Sequence, residues 1–399
     1  MAVVQAVREK GRINRDAVWS ISGSHFLNDL STTGLVPALT QLYKPMFHLN
    51  YTEISLIVLV SYITSSVAQP LFGAWADRSP KAWMLPLGLF LSTLGITLTG
   101  IAPSYGVLLL MVAISGLGSG AFHPEASRVA HLAAGRAKGL AQAIFQVGGN
   151  GGQAIGPLIV SLFILSAGIH SILWMFVGVA LGLLFTLRLY PWYKEALRDY
   201  AQVRRTIEGE NRIGAVVLLV VVIVLRSWCQ IGIAQFMPFY YAHKFGMSYQ
   251  LSDALMFVFL GAGALGTFIG GALADRMPKQ RILLLSMLLS IPFAFGLPFL
   301  HGAWAAVALL PFGFFILSSF AVTVVYMQML LPRNVSLASG LTIGFGVGAG
   351  GIGATFFGVL ADHVGLTSVL YILMAVPIVG AMLSAFLPVD GKGGSLARA

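Results

Sequence analysis

Long apolar segments alternate with short polar connections along the chain. Twelve of them reach the roughly 20 residues that an α-helix needs to cross the hydrocarbon core of a bilayer. The predicted spans are residues 17–42, 54–76, 82–101, 106–131, 139–166, 170–190, 213–241, 250–274, 281–300, 303–331, 335–361 and 366–388. The period-2 alternation of outer-membrane β-barrel strands is absent from the sequence. The pattern predicts an all-α integral membrane protein with twelve transmembrane helices.

The composition agrees with this prediction. Of 399 residues, 57% are hydrophobic and only 10% are charged, whereas soluble domains carry about 25% charged residues. The 46 glycines are spread through the apolar segments, as expected where helices pack closely in lipid.

The basic residues indicate the orientation. With twelve spans, twenty of the 24 Lys and Arg residues fall on the side of both termini, whereas Lys44 and Lys244 fall on the opposite side. Because basic residues favour the cytoplasmic side, both termini are predicted to be cytoplasmic. The net charge of +10 is then a topology signal, and we expect no nucleic-acid partner.

An internal repeat divides the chain. The sequence GAWADRSPK at residues 73–81 recurs as GALADRMPK at residues 271–279. Two parallel repeats are typical of one large class of secondary transporter. The predicted domains are therefore a six-helix N-terminal half (1–191), a cytoplasmic linker (192–212) and a six-helix C-terminal half (213–399).

The repeated G-x-x-x-D-R-x-x-K motif resembles the signature loop of the major facilitator superfamily. Within that superfamily, GLGSGAFHPEASRVA at 116–130 and GLAQAIFQVGGNGGQAIGPL at 139–158 resemble the fosmidomycin resistance protein family of bacterial exporters. The resemblance implies proton-driven efflux of small drug-like molecules across the bacterial inner membrane. The arginine that many drug–proton antiporters carry in the fourth span is replaced here by Val112, so Arg128 and Arg226 are the candidates for its role.

The first span carries a polar face. His25 lies one helical turn before Asn28 and Asp29, so all three lie on one face of the helix. Their position in the span is near mid-membrane. Ionisable residues at this depth are costly and usually functional. We interpret Asp29, with His25, as a proton-coupling site. The alternative is a neutral or paired carboxyl group that only joins helices.

Three more ionisable residues, His123, Glu125 and Arg128, lie in the fourth span around Pro124. One hypothesis is a second proton relay, in which Glu125 exchanges its proton as Arg128 changes partners. The other is an internal ion pair that fixes the kink at Pro124. The sequence leaves both open.

The seventh span carries Arg226 and Gln230, again one turn apart. The repeat places Arg226 opposite Asn28, so both are predicted to line the substrate site across a central cavity. Arg226 would bind an anionic substrate; its alternative role is a structural partner for Asp29.

Polar residues also form a stripe on the fifth span, at Gln142, Gln146 and Asn150. The four-residue spacing puts all three side chains on one helix face. We interpret this stripe as a lining of the substrate cavity. The alternative is hydrogen bonding to neighbouring helices.

The two copies of the repeated motif are predicted to act as a gate. Carboxylates near helix N-termini, with basic neighbours, would latch the two halves in one state. The predicted gating residues are Asp77, Arg78, Lys81, Asp275, Arg276 and Lys279.

Enzyme motifs are absent: the sequence has no G-x-S-x-G, Walker A, H-E-x-x-H or C-x-x-C motif. We therefore expect no catalytic site, metal site or cofactor, and pumping driven by an ion gradient. The resemblance implies that this is a proton gradient. The expected partners are a small-molecule substrate, protons and the lipid bilayer, with a functional monomer. Alternatives are proton-coupled uptake of an organic anion and a non-transporting membrane sensor.

Overall fold

The computed structural model describes residues 13–49, 51–204, 211–247 and 249–390, and these residues form helices and no β-strand. In the first part of the chain the α-helices are α1 (Arg15–Asp29), α2 (Val36–Met46), α3 (Tyr51–Arg78), α4 (Met84–Leu98), α5 (Tyr105–Ala133), α6 (Lys138–Ile159), α7 (Leu165–Ala167) and α8 (Phe176–Arg204). They are followed by α9 (Ile213–Phe245), α10 (Tyr249–Ala274), α11 (Lys279–Gly296), α12 (Trp304–Ser318), α13 (Phe320–Leu330), α14 (Val335–Val364) and α15 (Leu366–Ala385).

Ten of the helical segments in the described residues are long and apolar enough to cross a membrane. The first and fifth predicted spans are less apolar, because they carry the polar residues singled out above. Each is nevertheless a continuous run of helix: α1 and α2 are joined by a π-helix at Leu30–Leu35, and α6 and α7 by another at Val160–Ile164. The predicted all-α fold with twelve transmembrane helices is confirmed.

The π-helix of the first span begins directly after Asp29. A π-turn widens the helix and shifts its backbone hydrogen bonds. Three consecutive hydroxyl residues stabilise this region: Ser31, Thr32 and Thr33 donate to the carbonyl oxygens of Leu27, Asn28 and Asp29 at 2.9, 3.0 and 2.9 Å. The irregular turn therefore keeps its carbonyl groups satisfied without water.

The helix of the sixth predicted span, α8, is longer than its apolar sequence predicts. The segment 192–212 is predicted as a linker, but α8 continues to Arg204. Residues 205–210 lie outside the described residues, as do the terminal basic residues that support the orientation, Arg8, Lys10, Arg12, Lys392 and Arg398. The helix continues because polar residues do not break a helix once it leaves the apolar layer.

The chain forms two compact units. Unit 1 comprises residues 1–137, 144–208 and 333–344, and unit 2 comprises residues 138–143, 209–332 and 345–399. The first residues of α6 thus belong to unit 2 and those of α14 to unit 1. The domain boundaries 1–191, 192–212 and 213–399 remain a prediction.

Glycines bring helices of unit 1 into backbone contact. A Cβ atom placed on Gly118 of α5 would lie 2.7 Å from the carbonyl oxygen of Gly88 on α4, and one on Gly88 would lie 3.0 Å from the carbonyl oxygen of Gly118. Without a hydrophobic drive between helices in lipid, such close packing is a main source of helix association.

The substitution Gly118→Ala tests this packing. The added methyl group has no room between α4 and α5, so we expect a loss of about 1–3 kcal/mol in unfolding free energy. Gly106 lies on the same helix with nothing near its Cβ position. Gly106→Ala should therefore be neutral or slightly stabilising. Thermal unfolding of both variants in detergent measures the difference, and equal stability would contradict the packing role.

Candidate functional site

A carboxylate and two imidazoles converge inside unit 1. Asp29 and His25 lie one turn apart on α1, and His123 reaches them from α5. The Nε2 atom of His25 lies 3.2 Å from Asp29 Oδ2, and the Nε2 atom of His123 lies 3.2 Å from Asp29 Oδ1. The two Nε2 atoms are themselves 3.2 Å apart. We call these three residues the imidazole–carboxylate cluster.

Hydrogen bonds to the backbone orient both rings. The Nδ1 atom of His25 lies 2.7 Å from the carbonyl oxygen of Phe145, and that of His123 lies 2.9 Å from the carbonyl oxygen of Ser119. A carbonyl oxygen only accepts, so each Nδ1 carries a hydrogen. Each Nε2 therefore faces Asp29, as an acceptor when its ring is neutral and as a donor when its ring is charged. The ring of His25 also stacks on that of Phe145, with centroids 4.0 Å apart.

Asn28 fixes the carboxylate from the other side. Its amide nitrogen donates to Asp29 Oδ1 at 2.9 Å and to Ser119 Oγ at 3.0 Å, and its Oδ1 accepts from Ser92 Oγ at 2.7 Å. Tyr62 of α3 is a further titratable group within electrostatic range of Asp29. His25 and His123 are almost fully buried, whereas 15% of the Asp29 side chain is exposed. The carboxylate is thus the accessible member of the cluster.

Glycines of α6 allow this arrangement. A Cβ atom on Gly149 would lie 2.5 Å from His25 Nε2 and 2.7 Å from Asp29 Oδ2. One turn on, Gly152 has the same relation to the backbone of α1, where its Cβ atom would lie 2.1 Å from the carbonyl oxygen of Phe26. The polar face of α1 can approach α6 only because these positions carry no side chain.

Glu125 and Arg128 belong to a second buried cluster in unit 1. Arg128 donates through Nη1 to Glu125 Oε1 at 3.0 Å and through Nη2 to Asp77 Oδ1. The hydroxyl of Tyr193, on α8, donates to Glu125 Oε2. The predicted ion pair between Glu125 and Arg128 is therefore present, and it extends to two further residues. Whether it relays a proton stays a prediction.

Asp77 also caps a helix. Its carboxylate accepts from the backbone nitrogen of Ser336 at 3.2 Å and that of Leu337 at 2.8 Å, in the first turn of α14. Gly73, four residues earlier on α3, makes room for this turn: a Cβ atom there would lie 2.6 Å from the carbonyl oxygen of Ser336. The G-x-x-x-D spacing thus couples a close approach to a helix cap.

The second copy of the motif makes the corresponding contact within unit 2. Asp275 accepts from the backbone nitrogens of Gly139 and Leu140, at 2.7 and 3.0 Å, at the start of α6. The basic neighbours Arg78, Lys81 and Arg276 are exposed. Lys279 instead pairs with Asp390, with Nζ 3.0 Å from Oδ2. The gating role of these six residues stays a prediction.

Arg226 is a buried cation in unit 2. Its side chain is 1% exposed. Nη1 makes a long contact of 3.4 Å with Gln230 Oε1, and the guanidinium lies 4.5 Å from the ring centroid of Phe320. Within the described residues, Nε and Nη2 have no hydrogen-bond partner and no acid pairs with Arg226. Arg226 and Asn28 belong to different units. That they face each other across a central cavity stays a prediction.

The stripe on α6 is partly buried. Gln142 and Gln146 are buried, and Asn150 is half-buried. The Oε1 atom of Gln146 has no hydrogen-bond partner in the described part of the chain. An unsatisfied buried amide oxygen is costly unless a ligand or water completes it, which fits both the cavity-lining interpretation and a hydrated gap between helices.

Comparison with known proteins decides the family. The model of the Major Facilitator Superfamily matches residues 21–342. This chain belongs to the major facilitator superfamily. It is 39% identical over 376 residues to the uncharacterized MFS-type transporter YfnC of Bacillus subtilis, covering 92% of this chain and 91% of YfnC. It is 35% identical over 393 residues to the fosmidomycin resistance protein of Escherichia coli, covering 97% and 96% of the two chains.

Solved structures of the superfamily agree with the fold. The Escherichia coli fucose:proton symporter FucP superposes with a TM-score of 0.70 at 17% identity, covering 93% of this chain and 98% of FucP. As a member of the major facilitator superfamily, this chain is a multi-pass membrane transporter of small molecules. The predicted resemblance to the fosmidomycin resistance protein family is confirmed.

Several residues that contact the two buried clusters of this superfamily member were not predicted from the sequence. Tyr193 lies in the segment predicted as a linker, but its side chain is completely buried against Glu125. Ser92 and Ser119 complete the surroundings of Asn28. The spacing of Ser119 and His123, one turn apart on α5, was the available signal. Nothing in the sequence pointed to Ser92.

The substitution Arg128→Met tests the second cluster. It leaves the carboxylates of Glu125 and Asp77 buried without their shared cation, so we expect the unfolding free energy to fall by about 3–5 kcal/mol. Arg78→Met, at an exposed position next to Asp77, should change it by no more than about 0.5 kcal/mol. Chemical denaturation in detergent measures both. Similar values for the two variants would show that the buried network contributes no stability.

Proposed function

We propose that this chain is a secondary active transporter that exports small polar or anionic drug-like compounds, such as fosmidomycin, in exchange for protons, by alternating access. The similarity to the fosmidomycin resistance protein of Escherichia coli supports the substrate class. A weaker match, 28% identical over 259 residues, is the multidrug resistance protein MdtG of Serratia proteamaculans. We place the protein in the inner membrane, with both termini in the cytoplasm and a monomer as the working unit.

The observation that carries the coupling hypothesis is the imidazole–carboxylate cluster. An acid at membrane depth is rare, and Asp29 lies there between two imidazole nitrogens at 3.2 Å. A proton added to any of the three groups changes the charge of the whole cluster. It therefore changes the strength of the contact between Asp29 and His123 of α5. Protonation would thus bias one conformation of the transporter over another, which is the requirement for coupling. Glu125 and Arg128 would serve as a second site.

Arg226 carries the hypothesis for the substrate. In the part of the chain that the structure describes, its Nε and Nη2 atoms have no hydrogen-bond partner, and a phosphonate or carboxylate can accept from both. A bound anion would also neutralise the buried charge. Gln230 would bind a polar group beside the anion; Asn28, Gln142, Gln146 and Asn150 would complete the substrate site.

Proton coupling is tested in inside-out proteoliposomes with labelled fosmidomycin. With an acidic lumen, the wild type should accumulate the compound because protons leave as it enters. Asp29→Asn removes the titratable carboxyl group, so accumulation should fall to the level without a pH gradient. Asp16→Asn, at an exposed position on the same helix, should behave as the wild type. Flux that ignores the gradient in the wild type would refute coupling.

The same assay distinguishes the rival functions. Proton-coupled uptake predicts that an acidic lumen drives the compound out of the vesicles with the protons. A non-transporting sensor predicts no accumulation with either gradient. The fold similarity to a proton symporter makes uptake the more important alternative.

Arg226→Gln tests substrate binding. A hydrogen bond to a charged group contributes about 1.5–3 kcal/mol, so the KM for fosmidomycin should rise at least tenfold (about 1.4 kcal/mol). Arg281→Gln, at an exposed position in α11, serves as the control and should leave KM unchanged. An unchanged KM in both variants would remove Arg226 from the substrate site.

A further inference from the structure

The imidazole–carboxylate cluster has too many acceptors for its hydrogens. Both Nδ1 atoms use their hydrogens on backbone carbonyl oxygens. When the rings are neutral, each Nε2 therefore presents a lone pair. These two lone pairs and the Asp29 carboxylate point at one another from 3.2 Å. Such a group of acceptors is stable only when a positive charge lies among them.

We propose that His25, Asp29 and His123 form a binding site for Zn²⁺. The three ligand atoms all lie within 4.8 Å of one another. In a tetrahedral zinc site with bonds of about 2.0–2.1 Å, neighbouring ligand atoms are about 3.3 Å apart. The two Nε2 atoms match this spacing at 3.2 Å before any ion is added. Each also lies 3.2 Å from one of the two carboxylate oxygens of Asp29, so a small rotation of the carboxyl group would complete the set.

The surroundings of the ligands are also those of a metal site. Histidine ligands of metals usually donate their second nitrogen to a carbonyl or carboxylate oxygen, which fixes the ring and its tautomer. Phe145 and Ser119 provide such carbonyl oxygens. Asn28 donates to Asp29 Oδ1 in the same way. The absence of a side chain at Gly149, whose Cβ atom would lie 2.7 Å from Asp29 Oδ2, keeps the space beside the ligands open.

The chemistry of the ligands selects the metal. Two imidazole nitrogens and one carboxylate suit zinc and related transition metals, whereas Mg²⁺ prefers oxygen ligands in octahedral geometry. Three protein ligands leave one position for water. The sequence alone suggested no metal site because the two histidines are 98 residues apart and no contiguous motif joins them.

Zinc and protons would compete for the same three groups. A histidine or carboxylate must lose its proton to bind a metal, so zinc binding releases protons. Zn²⁺ would consequently arrest a transport cycle that loads protons on this cluster. The metal site itself does not rest on the proposed function, because a chain that moved no substrate would still bind the ion.

The direct test is a zinc titration of the purified full-length protein in detergent, with any affinity tag removed. Elemental analysis after equilibration should give one Zn²⁺ per chain and no retained Mg²⁺. His25→Gln and His123→Gln each remove one ligand and should weaken zinc binding at least about tenfold. Co²⁺ in place of Zn²⁺ should give the visible absorption of a tetrahedral site, and both variants should lose it.

The chain contains a matched control. His363 donates its Nδ1 hydrogen to the carbonyl oxygen of Val359 at 2.8 Å, as His123 does to Ser119, but it is exposed and lies in another unit. His363→Gln should leave zinc binding unchanged. Equal loss in His123→Gln and His363→Gln would mean surface binding and would overturn the proposal, as would an absence of stoichiometric zinc in the wild type.

A second measurement covers variants that do not fold. Zinc K-edge X-ray absorption needs only the wild type, loaded with one Zn²⁺ per chain. The spectrum should show about four nitrogen and oxygen neighbours at about 2.0–2.1 Å, with the outer-shell scattering of two imidazoles. A spectrum without imidazole scattering would refute the site.

Discussion

The need to compensate charge without water governs the interior of this transporter. Inside a bilayer, an ionised side chain is not solvated by water, so it needs partners within the fold or a bound ligand. Asp29 does so with two imidazoles and an amide. Asp77 and Glu125 share the guanidinium of Arg128. The helices of unit 1 must lie where these contacts can form.

This constraint explains where the glycines lie. An imidazole nitrogen of α5 can reach Asp29 at 3.2 Å only if α1 packs closely against its neighbours. Gly149 and Gly152 remove the side chains that would hold α6 away from α1. Gly73 does the same for α14, so that Asp77 reaches its backbone nitrogens. The glycines and the ionisable groups are thus parts of one arrangement, because each charge contact requires a close helix contact nearby.

Hydrophobic patterning was enough to predict the helices, since every span must be long enough to cross the same apolar layer. It failed at the end of α8, because a hydropathy boundary marks where the lipid ends and not where the helix ends. Tyr193 was therefore assigned to the linker and was not recognised as a contact of Glu125. Helical spacing likewise predicted the pairs His25–Asp29 and Glu125–Arg128, which lie on single helices.

Contacts between different helices could not be predicted from the sequence. His123 lies two residues from Glu125 in the chain and was grouped with it, yet the structure assigns it to Asp29 and assigns Glu125 to Tyr193. Residues two apart on a helix point about 200° apart, so they meet different neighbours. Only the packing of α5 against its neighbours decides which neighbour each residue meets.

The two units differ in the charge they leave to be filled. In unit 1 the acceptors of the imidazole–carboxylate cluster exceed its hydrogens, so the cluster attracts a cation, whether protons or a metal ion. In unit 2 the described residues leave Arg226 with donors and no acid, so it attracts an anion. Each is a buried charge imbalance, and burial makes it expensive to leave uncorrected. A proton in one unit and an anionic solute in the other would each remove one imbalance, which gives both ligands a reason to bind at membrane depth, where water cannot substitute for them.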